Sequence, residues 1–252
     1  MASHIENGLM LEEEMQYQEA ILEYEKAALE EPENPEPHIR KGTLLEEVGD
    51  FINALHSFNE AIRLNHKDSA ALALRGDVLA SLKRYEEAII DFSQSISIDP
   101  SDADSYYNRG LAYANIGQTE YAIQDLTAAI QLDPTHGGAY NNRGVLLYKS
   151  GDYEAALTDL TEATKFRVGF GCSFLHRGRA YEALGNTNMA MEDYTQALHV
   201  SPTDVTALYF RGLLYFASNE TEKGRKDFEL LVHTAPLNNH LRLLALHKMS
   251  LL

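Results

Sequence analysis

The chain of 252 residues contains one cysteine, Cys172, so no disulfide bond can form within it. A single thiol fits a reducing compartment, and we therefore expect a cytoplasmic location. No apolar run approaches the roughly 20 residues that cross a bilayer. The first residues also lack the basic stretch and apolar core of a secretory signal. We expect neither membrane insertion nor secretion.

Basic residues are also scarce. There are 21 Lys and Arg against 38 Asp and Glu, which gives a net charge of −17. Because phosphate binding needs clustered Lys and Arg, this balance argues against a nucleic-acid partner. The excess is uneven, since residues 1–34 hold ten acids and one base. This acidic stretch is either a solvated surface or a docking surface for a basic partner.

The motifs of common catalytic sites are absent as well. The sequence has no Walker-type phosphate loop, no H-E-x-x-H and no G-x-S-x-G. Its ten histidines are not spaced with Cys or carboxylates as a metal-binding set. We therefore expect a protein that is not an enzyme and that uses neither a metal nor a cofactor.

What the sequence does contain is a period of 34 residues, marked by one glycine in each of seven repeats. If each repeat is numbered with this glycine at position 8, position 20 is mostly Ala, 24 is large and apolar, and 32 is often Pro. So short a repeat cannot bury an apolar face alone, which predicts stacked copies. The glycines are Gly8, Gly42, Gly76, Gly110, Gly144, Gly178 and Gly212.

The spacing within each repeat predicts two helices. Positions 4, 8 and 11 form one stripe of a first helix, and positions 20, 24 and 27 form one stripe of a second. A short turn separates them, and it carries a glycine in four repeats, at Gly49, Gly117, Gly151 and Gly185. Proline at position 32 ends the second helix. Each repeat is therefore predicted to be a helical hairpin.

An aromatic at position 4, Gly at 8, Tyr at 11, Ala at 20, Phe at 24 and Pro at 32 resemble the tetratricopeptide repeat (TPR) family. The resemblance covers residues 1–238 and implies an all-α fold: a right-handed superhelix, or α-solenoid, of seven hairpins. Residues 239–252 would add a C-terminal capping helix. The repeats would be residues 1–34, 35–68, 69–102, 103–136, 137–170, 171–204 and 205–238. Position 4 departs from the pattern, because it is aromatic only in Tyr106, Tyr140 and Phe174.

Position 7, usually Leu in the family, is Lys or Arg in the last six repeats. Five of these arginines have an Asp 16 residues later, at position 23. Since positions 7 and 23 face each other in an antiparallel hairpin, we predict a structural ladder of ion pairs instead of a basic patch. The pairs are Arg75–Asp91, Arg109–Asp125, Arg143–Asp159, Arg177–Asp193 and Arg211–Asp227.

In the family, the first helices line a concave groove, and positions 2, 5, 6, 9, 12 and 13 point into it. Here these positions combine apolar and amide side chains, as a peptide-binding groove requires. The apolar residues that the resemblance assigns to the groove are Leu74, Tyr107, Leu111, Val145, Tyr148, Leu175, Tyr209, Phe210, Leu213 and Phe216. The polar residues are Asp77, Asn108, Asn115, Asn141, Asn142, Lys149, His176, Arg179 and Glu182.

Two binding modes known in the family can be compared with this groove. Asn108 and Asn142 both occupy position 6 and resemble the asparagine ladder that holds an extended peptide backbone; bonding between neighbouring helices is the alternative. The carboxylate clamp for acidic chaperone tails is disfavoured, because the groove cations Arg40, Lys149 and Arg179 do not cluster in sequence. An acidic protein would also attract an acidic tail poorly.

Two segments depart from the repeat. Residues 164–172 replace the usual acidic-Pro connection with two glycines and two aromatics, which indicates a tolerated loop variant, a hinge or a contact site. Residues 241–252 would form a helix with apolar residues nearly all round. This tail either packs as a cap or leaves an outer face for a second copy of the chain or another partner.

The resemblance implies a non-enzymatic scaffold or adaptor that binds a peptide segment of a partner protein in the concave groove. One alternative is a structural assembly component that uses the convex face, the edges or the tail. Another is a TPR regulatory fragment of a larger protein. No residue identifies the partner.

Overall fold

A computed structural model describes residues 3–166 and 170–251. These residues form fifteen α-helices and no strand, which confirms the all-α prediction. None of the described helices is both long enough and apolar enough to cross a bilayer. The chain divides into two compact units, Met1–Asp133 and Pro134–Leu252.

The unit Met1–Asp133 consists of four helical hairpins, each within one 34-residue repeat. Its helices are α1 (His4–Glu13), α2 (Tyr17–Glu30), α3 (Glu36–Glu47), α4 (Phe51–Leu64), α5 (Ser69–Ser81), α6 (Tyr85–Ile98), α7 (Ala103–Asn115) and α8 (Thr119–Leu132). Each helix packs on the next, and the first helices of successive hairpins also touch, α3 on α5 and α5 on α7. The first helices therefore share one face of this unit.

The unit Pro134–Leu252 continues the pattern with three hairpins and a final helix. Its helices are α9 (Gly137–Lys149), α10 (Tyr153–Ala163), α11 (Phe170–Ala183), α12 (Thr187–Val200), α13 (Val205–Ala217), α14 (Thr221–Thr234) and α15 (His240–Ser250). First helices again touch, α9 on α11. The expectations for 164–172, a tolerated loop variant, a hinge or a contact site, fall partly on residues 167–169, which lie outside the described residues.

The repeated glycine at position 8 allows the two helices of a hairpin to approach closely. A Cβ atom on Gly76 would lie 2.7 Å from Cε1 of Phe92, closer than non-bonded carbons can approach. Phe92 and Ala88, at positions 24 and 20, are fully buried. The ring from α6 thus fills the space that a side chain at Gly76 would occupy. This explains why glycine and a large apolar residue recur together.

The turn between the two helices of each hairpin requires a left-handed residue at position 15. In the second hairpin this is Gly49, with φ of +82°, and the following amide of Asp50 donates to the carbonyl of Leu45 at 2.7 Å. Such a six-to-one bond closes the helix end in a Schellman motif. The same position has positive φ in every repeat, although three of these residues are not glycine: Met15, Lys83 and Asn219.

The last helix, α15, packs on α13 and α14. Ala245 is fully buried, and Leu241 and Met249 pack against the core of this unit. Leu243 and Leu246, in contrast, are 55% and 41% exposed. The helix therefore covers the end of the unit with one side and keeps apolar residues on the other. Self-association through this outer side stays a prediction.

Candidate interaction surface

The five arginines at position 7 each hold an Asp carboxylate through two nitrogen donors. In α7, Nε of Arg109 donates to Oδ2 of Asp125 at 2.7 Å, and its Nη2 donates to Oδ1 at 2.8 Å. The side chain of Asp125 is 9% exposed and that of Arg109 is 18% exposed. The hydrogen bond to Asp125 raises the pKa of Arg109. The other four pairs use the same atoms at 2.7–2.8 Å.

These arginines also bind the preceding hairpin, a contact that the sequence did not predict. Nη1 of Arg75 donates to Oδ1 of Asn59 at 2.8 Å, and Nη1 of Arg109 donates to Oγ of Ser93 at 3.0 Å. Each acceptor stands 16 residues before its arginine, at position 25 of the previous repeat. One guanidinium thus fastens its own hairpin and the hairpin before it. The position-7 side chains therefore serve packing between helices.

On the first-helix face of Met1–Asp133, an amide and a carboxylate from successive repeats meet. Nδ2 of Asn108 donates to Oδ1 of Asp77 at 2.7 Å. This is the helix-to-helix alternative that the sequence left open for Asn108. Both residues line a cleft of about 320 Å³, together with Leu111, Asn115 and Tyr85. Tyr85 begins a second helix, so it is not among the first-helix positions that the sequence assigned to this surface.

The carboxyl group of Asp77 on this face has a strongly raised pKa. Burial raises its pKa to about 7, and the negative charges of Glu46, Asp104 and Asp102 add to the effect. Its only hydrogen-bond partner described above is a neutral amide, whereas Asp91 and Asp125 in the ladder face guanidinium groups. A cation placed beside Asp77 would favour its charged form.

In Pro134–Leu252 the corresponding face is built from α9, α11 and α13. The guanidinium carbon of Arg179 lies 5.0 Å from the ring centroid of Tyr148 and 5.1 Å from that of Phe210. These three side chains, with Glu182 and Ala183, line a cleft of about 270 Å³. Three successive first helices thus contribute to one small recess.

Other residues assigned to this face are engaged in packing or local bonds. The ring of Tyr209 stacks on Phe228 with a centroid separation of 5.6 Å, and Phe216 meets the same ring edge-on at 5.1 Å. Oδ1 of Asn141 accepts a hydrogen bond from Oγ of Ser173 at 2.9 Å. Sequence position alone did not reveal these contacts, because they depend on which rotamer each side chain adopts.

The remaining assigned residues differ in exposure. Lys149 and Asn115 are exposed, whereas most of the other residues are half-buried. His176 is also half-buried, and no described residue forms a hydrogen bond with its Nδ1. Burial lowers the pKa of His176, and the positive charges of Arg179 and Lys149 lower it further. The half-buried residues are Leu74, Tyr107, Leu111, Asn142, Val145 and Leu213; Leu175 is buried.

The described residues of the two units offer no metal-binding set. Across residues 3–166 and 170–251, no three His, Cys, Asp or Glu side chains stand close enough together to hold a metal ion. Cys172 is exposed. The first-helix faces present aromatic, amide and charged groups.

Comparison with protein families identifies the class. Family models described as TPR repeat or tetratricopeptide repeat match four ranges that together span more than half of the chain: residues 76–117, 103–136, 126–158 and 175–239. The chain is a tetratricopeptide repeat protein. No curated protein sequence matches it.

Solved structures share the fold at low sequence identity. A tetratricopeptide repeat protein from Parabacteroides merdae ATCC 43184 is 20% identical over 98% of this chain and 97% of that chain, with a TM-score of 0.71. PilF of Pseudomonas aeruginosa is 18% identical over 82% and 95%, with a TM-score of 0.74. YrrB, described as a TPR protein with an unusual peptide-binding site, is 24% identical over 75% and 97%, with a TM-score of 0.64.

Proposed function

We propose that this TPR protein is a non-enzymatic scaffold or adaptor that binds a peptide segment of another protein on its first-helix faces. TPR proteins generally mediate interactions between proteins. The observation that carries the proposal is the pair of clefts, one in each unit, in which aromatic or aliphatic side chains stand beside amide and charged groups. Apolar recesses accept side chains, and amides pair with the peptide backbone. The peptide-binding site named for YrrB supports the same reading.

The charge of the chain suggests what part of the partner meets the first unit. Residues 1–133 hold 26 acids and nine bases, so the whole excess of negative charge belongs to this unit. Its cleft also contains Asp77, a carboxyl group without a basic partner in the contacts described above. We infer that basic residues of the partner meet this unit. We place this interaction in the cytoplasm, on the grounds given by the single cysteine.

Selection from a library of random 12-residue peptides tests the proposal. The full chain is used as bait, and the selected peptides are titrated calorimetrically against the unmodified protein and the double variant Asn108→Ala/Asn142→Ala. We expect the double variant to lose most of the affinity, because amides on this face would no longer pair with the peptide backbone.

A matched control is available on the opposite side of a hairpin. Asn188 is exposed on α12, a second helix, so Asn188→Ala removes the same group away from the proposed surface. Its peptide affinity should equal that of the unmodified protein. If no peptide is selected, or if Asn188→Ala weakens binding as much as the double variant, the first-helix faces are not the binding surface. The assembly role through the convex face, edges or tail would then be favoured.

A further inference from the structure

The guanidinium of Arg179 lies over aromatic rings of neighbouring first helices, whereas the rings beside Arg109 and Arg177 belong to their own helices. Two aromatic rings hold it, Tyr148 at 5.0 Å and Phe210 at 5.1 Å. Cation–π contacts of this kind restrict where the guanidinium can lie and use none of its N–H donors. The rings come from the preceding and following first helices, so the position of Arg179 is set by three elements of the fold.

The hydrogen-bonding edge of Arg179 has no acceptor within the part of the chain that the structure describes. Its neighbours at position 7, Arg177 and Arg211, each bind an Asp carboxylate with two donors at 2.7–2.8 Å. Among the described residues, Arg179 makes no such bond. A half-buried guanidinium with five unused donors is a strong and directional binding group for a planar anion.

The charges around Arg179 are mixed, but no described carboxylate pairs with it. Lys149 is exposed nearby, and both cations act on His176, whose pKa they lower together with burial. Nδ1 of that histidine is buried without a partner. The one carboxylate in the cleft, Glu182, accepts a hydrogen bond from the hydroxyl group of Tyr194 at 2.7 Å and makes no ion pair with Arg179.

We infer that the cleft at Arg179 binds a carboxylate of the partner peptide, held by the N–H donors of the guanidinium beside Tyr148 and Phe210. The inference rests on the proposed function, because it names one residue class within the bound peptide. A carboxylate offers two oxygens at the spacing of the guanidinium donors, so one planar fork can bind it twice. Either an Asp or Glu side chain or the terminal carboxylate of the peptide has this chemistry.

A thermodynamic cycle between peptide and protein tests this contact. Peptides selected by the full chain are synthesised again, with each Asp or Glu changed in turn to Asn or Gln and with the C-terminus either free or amidated. Each form is titrated against the unmodified protein, Arg179→Gln and Arg179→Lys. We expect one carboxylate whose removal weakens binding to the unmodified protein about tenfold. The same removal should have little effect on Arg179→Gln.

Arg179→Lys keeps the charge but loses the planar fork, so it should restore only part of the coupling. Arg225→Gln is the matched control, because Arg225 is exposed on α14 and its loss changes the net charge by the same amount. This variant should keep the full tenfold effect.

The outcomes separate the two proposals. Selected peptides that bind without any carboxylate coupled to Arg179 would overturn this inference and leave the proposed function standing. Failure to select any peptide would overturn both. If amidation of the C-terminus is the change that is coupled to Arg179, the site binds a terminal carboxylate. If one Asn or Gln substitution is the coupled change, the site binds a side chain.

Discussion

Two arginines of the first unit bind carboxylates with the same atoms in different surroundings. Arg109 uses Nε and Nη2 to hold Asp125, and the side chains are 18% and 9% exposed. Arg84 uses Nε and Nη2 to hold Glu87 at 2.6 and 2.7 Å, but those side chains are 46% and 53% exposed. The two pairs share this bidentate geometry and differ in burial and in the further bond from Arg109 to Ser93.

Arg109→Met should lower the free energy of unfolding by about 3 kcal/mol, because it leaves the Asp125 carboxylate buried without a counter-charge. Arg84→Met should change stability little, since water solvates Glu87 once the arginine is gone. Urea denaturation followed by circular dichroism measures both. Equal effects of the two substitutions would show that burial does not matter in this ladder.

A double variant separates the loss of attraction from the cost of an unpaired charge. Arg109→Met/Asp125→Leu removes both charges and should recover much of the stability lost in Arg109→Met, because a buried ion pair can often be replaced by apolar packing. A double variant as unstable as Arg109→Met would indicate that the bond from Arg109 to Ser93 in the preceding hairpin carries the effect.

The turn of each hairpin requires a left-handed backbone conformation at position 15, and the repeats differ in whether they place glycine there. Four repeats place glycine at the left-handed position, whereas Lys83 adopts a φ of +60°. Lys83→Gly should raise the stability by roughly 0.5–1 kcal/mol, because the left-handed region costs a residue with a Cβ atom more than it costs glycine. The midpoint of urea denaturation measures this gain.

Lys83→Ala is the control for that substitution. It removes the same positive charge from an acidic unit, and Lys83 is exposed, so electrostatic and packing changes are matched. Alanine retains the Cβ atom and should give no gain. A gain of the same size in both variants would assign the effect to the charge and would contradict the role of backbone conformation.

The helices were predictable from the sequence because their packing repeats every 34 residues. Gly76, Ala88 and Phe92 recur as a set since one close approach determines all three. The left-handed backbone at Met15 and Lys83 was not predictable, because neither residue type favours this conformation. It becomes visible only when those repeats are aligned with the ones that carry glycine.

The surface residues were predictable in position but not in contact. The register placed Asn108 and Arg179 on the first-helix face, yet their roles depend on partners in neighbouring repeats. The bond from Asn108 to Asp77 and the two rings near Arg179 arise from rotamers that the 34-residue period does not determine. The assignment of these residues to peptide binding stays a proposal.

For the whole molecule, the main asymmetry is in charge. The unit Met1–Asp133 has 26 acids and nine bases, whereas Pro134–Leu252 has twelve of each. Net charge far from zero destabilises a compact state through self-repulsion. In a repeat protein, stability is close to a sum over repeats and their neighbours, so each unit should respond to its own charge.

Added salt should therefore stabilise the two units unequally. Raising NaCl from about 0.01 M to about 0.1 M shortens the screening length from roughly 30 Å to roughly 10 Å, which weakens repulsion between surface carboxylates. We expect slower amide hydrogen exchange in α1 to α8 and little change in α9 to α14, as measured by mass spectrometry of peptic fragments. The neutral unit is the internal control, since both units experience the same solution. An equal response in both units would show that self-repulsion does not limit the stability of Met1–Asp133. The acidic surface of this unit would then have a role other than one in folding.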